Sequence, residues 1–337
     1  MDQLFGVTMG DSSGVGPEIL LKAFAEGKVK VPIIAFGDMA ALEYYNQKLA
    51  CGVSLRKITK AQEFAAGPLN VIDAAVMSPQ EVSVGKLSAK SGHAAREYVV
   101  AAARAALAGE IAAMVTLPMN KEATQLSDPH FTGHTELIGG VCGAKDVTIM
   151  LVSDQLVVTH VSTHVSLATA IARAKKERIS TIIRLTCEAM RRLKENPRIA
   201  VAGLNPHAGE NGLFGDEEER EIRPAVEWAQ SQGMPVEGPL PPDTLFYMAV
   251  RKKKYDAIVC MYHDQGHIPL KLLDFEGGIN VTLGLPIIRT SVDHGTAFDI
   301  AGRGVASIAS FIYALDFAER MAQGSCAGIP FDDKLSS

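Results

Sequence analysis

Short apolar runs that alternate with longer amphipathic segments constrain this chain more than any other feature. Leu4 to Met9 reads as a strand, and Gly16 to Ala25 as a helix with Pro17 in its first turn. "VPIIAFG" at 31–37 is a second strand, with a helix after Asp38. A long helix spans 88–109 and stops at Gly109, and "IAAMVTLP" at 111–118 is a buried strand. The runs 147–153 and 155–161 form a strand pair around Ser153, Asp154 and Gln155. There follow a helix at 174–194, a strand at 198–203, a helix at 217–232 and a strand at 255–261. Strand pieces at 279–283 and 287–290 precede helices at 296–302 and 305–322. This order predicts an α/β fold with a largely parallel sheet. A chain of 337 residues exceeds one ordinary core, so two domains are expected, with the C-terminal part returning to the first.

The remaining totals exclude more than they assign. The formal charge is -5, which disfavours a polyanionic partner, and Arg251 to Lys254 reads as a solvated helix end. Nucleic acid is therefore not expected as a partner. The five cysteines, Cys51, Cys142, Cys187, Cys260 and Cys326, are odd in number and widely spaced, as in a reducing cytoplasm. No apolar run is long enough to cross a bilayer, and "MDQLFGVTMGD" does not read as a signal peptide.

Several motifs carry chemistry. "GDSSGVGPE" at 10–18 is a glycine-rich strand-to-helix turn that is neither a Walker A loop nor a dinucleotide fingerprint. It is either a tight turn or a backbone that approaches a ligand at a helix N-terminus, with Asp11 as a polar contact. Lys121, in "MNKEA", stands where α/β sites form or is a surface lysine. Histidine is the strongest signal: of nine, His134, His160, His164, His207, His263, His267 and His294 follow apolar runs. Imidazole is both the common metal ligand and the physiological acid–base, and three with an open position make a catalytic metal site. Val161, Ser162 and Thr163 favour extended structure, so one of His160 and His164 is expected to be a ligand. Asp264 is placed to orient a ligand histidine. Lys271 and Arg289 lie in apolar runs, where a cation needs an anion: a structural salt bridge, or a substrate phosphate or carboxylate. Asn280 and Asp243 add polar groups near the same segments.

Taken in order, "FTGHTE", "NPHAGE", "PPDT", "MYHDQG" and "NVTLGLPIIRTSVDHGTAFDIAGRG", with the opening "GPE", closely resemble the 4-hydroxythreonine-4-phosphate dehydrogenase family over residues 4 to 322. The resemblance implies two α/β/α domains, similar to isocitrate and isopropylmalate dehydrogenases, with a cleft between them. Residues 1–130 with 290–337 would form the first domain, carrying the cofactor loop, and 131–289 the second. It implies a homodimer with a shared active site and NAD as oxidant. A divalent cation would be held by His164 and His207 of one chain and His263 of its twin. Imidazole ligation admits zinc, cobalt, nickel or manganese, and magnesium if waters complete the shell. His134, Thr135, Lys271, Asn280 and Arg289 match substrate positions, and His294, Gly295 and Thr296 would line the cofactor.

"GDSSGVGPE", "HAGENGLFGDEE" and "YHDQGHIPLKLL" resemble a branch that oxidises D-threonate or D-erythronate 4-phosphate. The expected reaction takes the C3 hydroxyl to a ketone with metal assistance, then loses carbon dioxide to give dihydroxyacetone phosphate. His134 would orient the substrate, Asp243 would accept the proton, and Glu210 would anchor the loop presenting His207. Gly209 and Gly212 would allow that loop its path, and Asp216 to Glu219 would serve a helix N-terminus. The alternatives are the 4-hydroxythreonine 4-phosphate activity, a cis-dihydrodiol dehydrogenase, a non-redox metal hydrolase or lyase, and a non-catalytic phosphosugar-binding regulator.

Overall fold

The computed structural model of the chain describes residues 3–275 and 277–324. Cys326 and the rest of 325–337 lie outside the described residues. Contacts divide the chain into two compact units, one of residues 1–145 with 285–322 and one built on 146–284. The sequence placed these boundaries at 130/131 and 289/290. The first moves because the helix at His134–Cys142 packs on the long helix Ala89–Leu107.

The first unit begins with β1 (Phe5–Thr8), α1 (Gly16–Ala25), β2 (Ile33–Gly37), α2 (Met39–Lys48), β3 (Leu55–Ile58) and β4 (Leu69–Asp73). It continues through α3 (Ala89–Leu107), β5 (Ala113–Thr116), α4 (Lys121–Gln125) and α5 (His134–Cys142). Within the second unit come β6 (Thr148–Val152), β7 (Val157–His160), α6 (Leu167–Arg173), α7 (Lys176–Arg191), β8 (Ile199–Ala202) and α8 (Arg223–Ser231). β9 (Val236–Leu240), α9 (Pro242–Val250), β10 (Ala257–Cys260), α10 (His263–Leu273) and β11 (Ile279–Leu283) complete it. β12 (Arg289–Val292) and α11 (Ala309–Gln323) follow, with β12 pairing in the first unit's sheet.

In the first unit the strands run in the order β3-β4-β2-β1-β5-β12, every pair parallel. β1, β2 and β5 are buried along their full length, as strands covered on both faces must be. α3 lies across β1, β2 and β5. Its buried Ala94, Ala95, Ala102 and Ala103 let it approach closely, and Ser88 caps it by accepting from the Ser91 N–H. In the second unit the order is β11-β6-β7-β10-β8-β9. Here β7, β10, β8 and β9 are parallel, while β6 runs against both β7 and β11. The expected strand pair at 147–161 is thus a hairpin, and Leu151, Val158, Ala200 and Ile258 form part of the core beneath it.

The helix expected at 174–194 is α7, which runs unbroken from Lys176 to Arg191, with Ala174 and Lys175 outside the helical region separating it from the short α6. Two sequence readings differ from the structure. The helix expected at 296–302 is a series of turns. Glu18 takes the Gly302 and Ala306 amides at 3.0 and 2.8 Å, so those amides do not join a helical ladder. The strands β3 and β4 were not anticipated.

Candidate active site

The expected site residues fall into groups that belong to separate units. In the first unit, Arg289 opens β12 and Thr116 closes β5, and the parallel register sets Arg289 opposite Met114, two residues before Thr116 on the same face of β5. The guanidinium is 3% exposed and donates to the Thr116 hydroxyl from Nε at 3.1 Å and Nη2 at 2.6 Å. Burial lowers Arg289 to about 9, with Glu136 pulling the other way, so it stays a cation at neutral pH. His134 is the first residue of α5, with Thr135 and Glu136 in the same turn. Its Nε2 is buried and has no hydrogen-bond partner among the described residues. Burial, and secondly the charge of Arg289, hold the imidazole well below its ordinary range, so it is neutral. A buried cation beside a neutral imidazole suits an anion that also offers a hydroxyl.

The same unit carries His294, Gly295 and Thr296 on the turns that follow β12. His294 and Gly295 are exposed, while Thr296 is buried and its carbonyl accepts from the Val15 N–H at 3.0 Å. The 10–16 turn and this loop therefore interlock. Asp11 is buried, pushed upward by desolvation, and bonded to the Ser13 N–H at 2.8 Å and to the Ser91 hydroxyl. It is part of a buried polar turn, and Lys121 is exposed at the start of α4.

The second unit gathers four imidazoles where β7 and β10 end and α10 begins. The parallel pairing of Cys260 with His160 sets these strand ends level. His160 is wholly buried at the end of β7, and His164 is exposed four residues on, before α6. His263 and His267 stand one turn apart on α10 with ring centroids 3.6 Å apart and planes 11° from parallel. His164 lies 5.4 Å from His263, centroid to centroid. Both line one recess with Thr163, Tyr262 and Asp264, and Asp264 Oδ1 lies 2.7 Å from His263 Nδ1. Of the two histidines of which one was expected to be a ligand, His160 is buried and His164 opens to the recess. Burial first, then the charges of His267 and His263, push His160 down to about 3, so it is neutral.

His207 stands apart, in a second recess with Glu210, Asn211, Arg223 and Pro241. Its turn is a run of left-handed residues: His207, Ala208, Gly209, Glu210, Asn211 and Gly212 have φ of 51°, 53°, 79°, 43°, 57° and 90°. Each residue there with a Cβ costs about 1–2 kcal/mol, so something must hold the turn. Glu218, not Glu210, is the anchor. Its carboxylate is 1% exposed and accepts from the Leu204 N–H and the Asn205 N–H, each at 2.7 Å, and from Asn205 Nδ2 at 2.9 Å. Glu210 is exposed because it stands in the left-handed run itself. The acids at 216–219 thus do more than meet a helix dipole: Glu217 binds Asn205 Nδ2, Asp216 pairs with Arg220, and Glu219 with Arg223.

Among the described residues of one chain, no three histidine, cysteine or acidic groups converge as a metal set would. His164 and His263 share a recess because β7 and β10 are neighbours, whereas His207, expected from sequence to act with His164 in one chain, lines a separate recess. Asp243 is exposed in the first turn of α9, which packs against the His207 turn rather than beside the imidazole cluster. Lys271, on α10, holds its ammonium 5.3 Å from the Phe275 ring, and Asn280 is half-buried on β11 opposite Leu151. Gln265 is a site residue not singled out from sequence. It ties the strand ends together, accepting from the Met261 N–H and donating to the Gly203 carbonyl, both at 2.7 Å. Its only sequence signal is its place inside "YHDQG".

Residues 28–318 match the family described as pyridoxal phosphate biosynthetic protein PdxA. The chain is 45% identical over 321 residues to D-threonate 4-phosphate dehydrogenase of Salmonella typhimurium, covering 94% of this chain and 98% of that one. It is 45% identical over 324 residues to 4-hydroxythreonine-4-phosphate dehydrogenase of Beijerinckia indica, covering 95% and 96%. The crystal structure of 4-hydroxythreonine-4-phosphate dehydrogenase from Klebsiella pneumoniae matches with a TM-score of 0.87 and 44% identity, covering 95% of this chain and 100% of that one. With its α/β units, its ordered motifs and these matches along most of its length, the chain belongs to the PdxA family.

Proposed function

We propose that this PdxA-family dehydrogenase oxidises the C3 hydroxyl of a phosphorylated four-carbon hydroxy acid, D-threonate or D-erythronate 4-phosphate, with NAD as oxidant. Bound NAD would supply the acceptor for the C3 hydride, with the hydroxyl proton released. The resulting β-keto acid loses carbon dioxide and takes up a proton, leaving dihydroxyacetone phosphate. The observation that carries this reading is the buried Arg289 guanidinium beside the neutral His134 imidazole, a setting for an acid that also presents a hydroxyl. Lys271 and Arg289 would bind the two anionic ends through charge-assisted bonds. His134 and Thr135 would orient the substrate, Asn280 would donate to it, and His294, Gly295 and Thr296 would receive the cofactor. Asp243 is retained as proton acceptor only through a second copy, since its helix lies with the His207 turn.

The donor chemistry fits a divalent cation: two imidazoles share a recess, and a third stands on a turn that the chain strains to present. His164 and His263 would hold it together with His207 of the partner subunit. When bound, such an ion supplies Lewis acidity to the C3 oxygen and steadies the charge left when carbon dioxide departs. Exposed apolar residues support a homodimer. Leu213 and Phe214, beside the His207 turn, are 72% and 46% exposed, and Ile268, Leu272 and Phe275, on or just after α10, are 62%, 85% and 75% exposed. Such side chains around the imidazole-bearing segments are suited to cover by a second copy. We place the enzyme in the cytoplasm, with neither a nucleic acid nor a membrane as partner. No helix among the described residues is long and apolar enough to cross one.

The test is NADH formation, followed by absorbance with NAD, a divalent metal and three acids in parallel: D-threonate, D-erythronate and 4-hydroxythreonine 4-phosphates. Turnover of the first two is expected, with loss after chelation and recovery on adding metal. Preference for 4-hydroxythreonine 4-phosphate would instead favour the activity for which the Beijerinckia relative is named. No NADH from any of the three would overturn the reading.

A further inference from the structure

Two histidines of the cluster have no part in the reaction described above. His160 is wholly buried, and its Nδ1 has no hydrogen-bond partner among the described residues. Its Nε2 lies 3.2 Å from His267 Nδ1, and that same nitrogen lies 3.0 Å from the His263 carbonyl oxygen. One proton joins the two rings, carried by His267 Nδ1 or His160 Nε2 according to tautomer, and either way the pair is bonded against the accepting His263 carbonyl. His267 is thereby fixed in its plane, and that plane lies flat against His263. The backbone makes room for this arrangement. A Cβ on Gly266 would come within 2.5 Å of His160 Nε2 and 3.0 Å of Cys260 Sγ, so α10 can close on β7 only with glycine there.

We propose that His160 and His267 are positioning residues that hold the His263 ring in the orientation from which it binds a divalent cation. This rests on the reading of His164 and His263 as metal ligands and deepens it. Three side chains from β7 and α10 act in series: His160 fixes His267 by a bond, and His267 fixes His263 by a face. Asp264 meets the His263 ring at Nδ1 only, 2.7 Å away, and the stacked His267 ring adds a face that limits rotation about the side-chain bonds; each ligand left free to turn weakens a metal site. Series action has a signature. Removing either supporting histidine breaks the same link, so the losses in metal affinity do not add.

The test uses the whole protein and Co2+ alone as probe. His267→Phe keeps a flat ring over His263 but removes the nitrogen that meets His160, and His160→Leu removes the other half of the bond at similar volume. Affinity for Co2+, measured by competition with a chelating dye, should fall roughly tenfold in each variant and by no more in the double variant. The visible absorption bands of bound Co2+ should broaden in all three. Thermal unfolding of the metal-free proteins separates support of the fold from support of the ligand. Loss of Co2+ affinity in a variant whose metal-free melting matches wild type supports the proposal. Undiminished Co2+ affinity in both single variants would overturn it while leaving the ligand assignment standing, and so would losses that multiply in the double variant. A wild-type protein that binds no Co2+ would overturn the ligand assignment and this proposal with it.

Discussion

Glu218→Gln tests the claim that one buried carboxylate holds the strained turn presenting His207. The side chains are nearly isosteric, so the variant changes charge and hydrogen-bond polarity rather than volume. In the native arrangement the carboxylate accepts three bonds, two from backbone amides at 2.7 Å and one from Asn205 Nδ2 at 2.9 Å. A glutamine oxygen can still serve Leu204 and Asn205, but its amide nitrogen then faces the Asn205 amide, donor against donor. One charge-assisted bond is lost, at about 1.5–3 kcal/mol, and two are weakened to neutral strength. A net loss of about 3 kcal/mol is therefore expected, which lowers Tm by roughly 6–12 °C for a unit of this size. Calorimetry on metal-free protein measures it. The same substitution should weaken Co2+ binding, because the left-handed run at 207–212 loses its tether. A Tm within 1 °C of wild type would refute the anchoring role, since no other described contact replaces these bonds without a rearrangement.

Two further outcomes follow from the first unit and from the buried imidazole. Arg289→Lys should raise KM for the phosphorylated acid by about a hundredfold, because a lysine cannot reproduce the planar fork that meets Thr116; initial rates of NADH formation check it, and a KM within threefold of wild type would refute it. Because His160 is held at about 3 in the fold against 6.5 when unfolded, the unfolded chain binds the proton first as pH falls. The metal-free protein should therefore lose about 1.4 kcal/mol of stability per pH unit between roughly pH 6 and 3 from this group, and His160→Leu should remove that part of the slope in urea titrations.

Part of the fold was legible in the sequence. α1 and β11 lie where their patterns end, at Gly16–Ala25 and Ile279–Leu283, since Pro17 in the first turn and a run of apolar β-formers are local signals. β3 was not legible, because Leu-Arg-Lys-Ile at an edge carries two exposed cations and no alternation that a single strand could declare. The helix expected at 296–302 failed for a different reason. Its residues suit a helix, but Ala297, Gly302 and Gly304 have positive φ, and the distant Glu18 takes the amides.

The sequence by itself determined the α/β class, the family and the residue types of the site, because hydrophobic period and ordered motifs are properties of neighbouring residues. Only the tertiary structure decided which of those residues meet. His160 and His267 are 107 positions apart and touch because parallel pairing sets the ends of β7 and β10 level, and a glycine lets α10 close over them. His207 carries the same chemical signal as His164 in a linear reading, yet it stands in its own recess on a strained turn. The anchor of that turn is Glu218 rather than Glu210, because backbone path and not spacing along the chain aims a carboxylate inward.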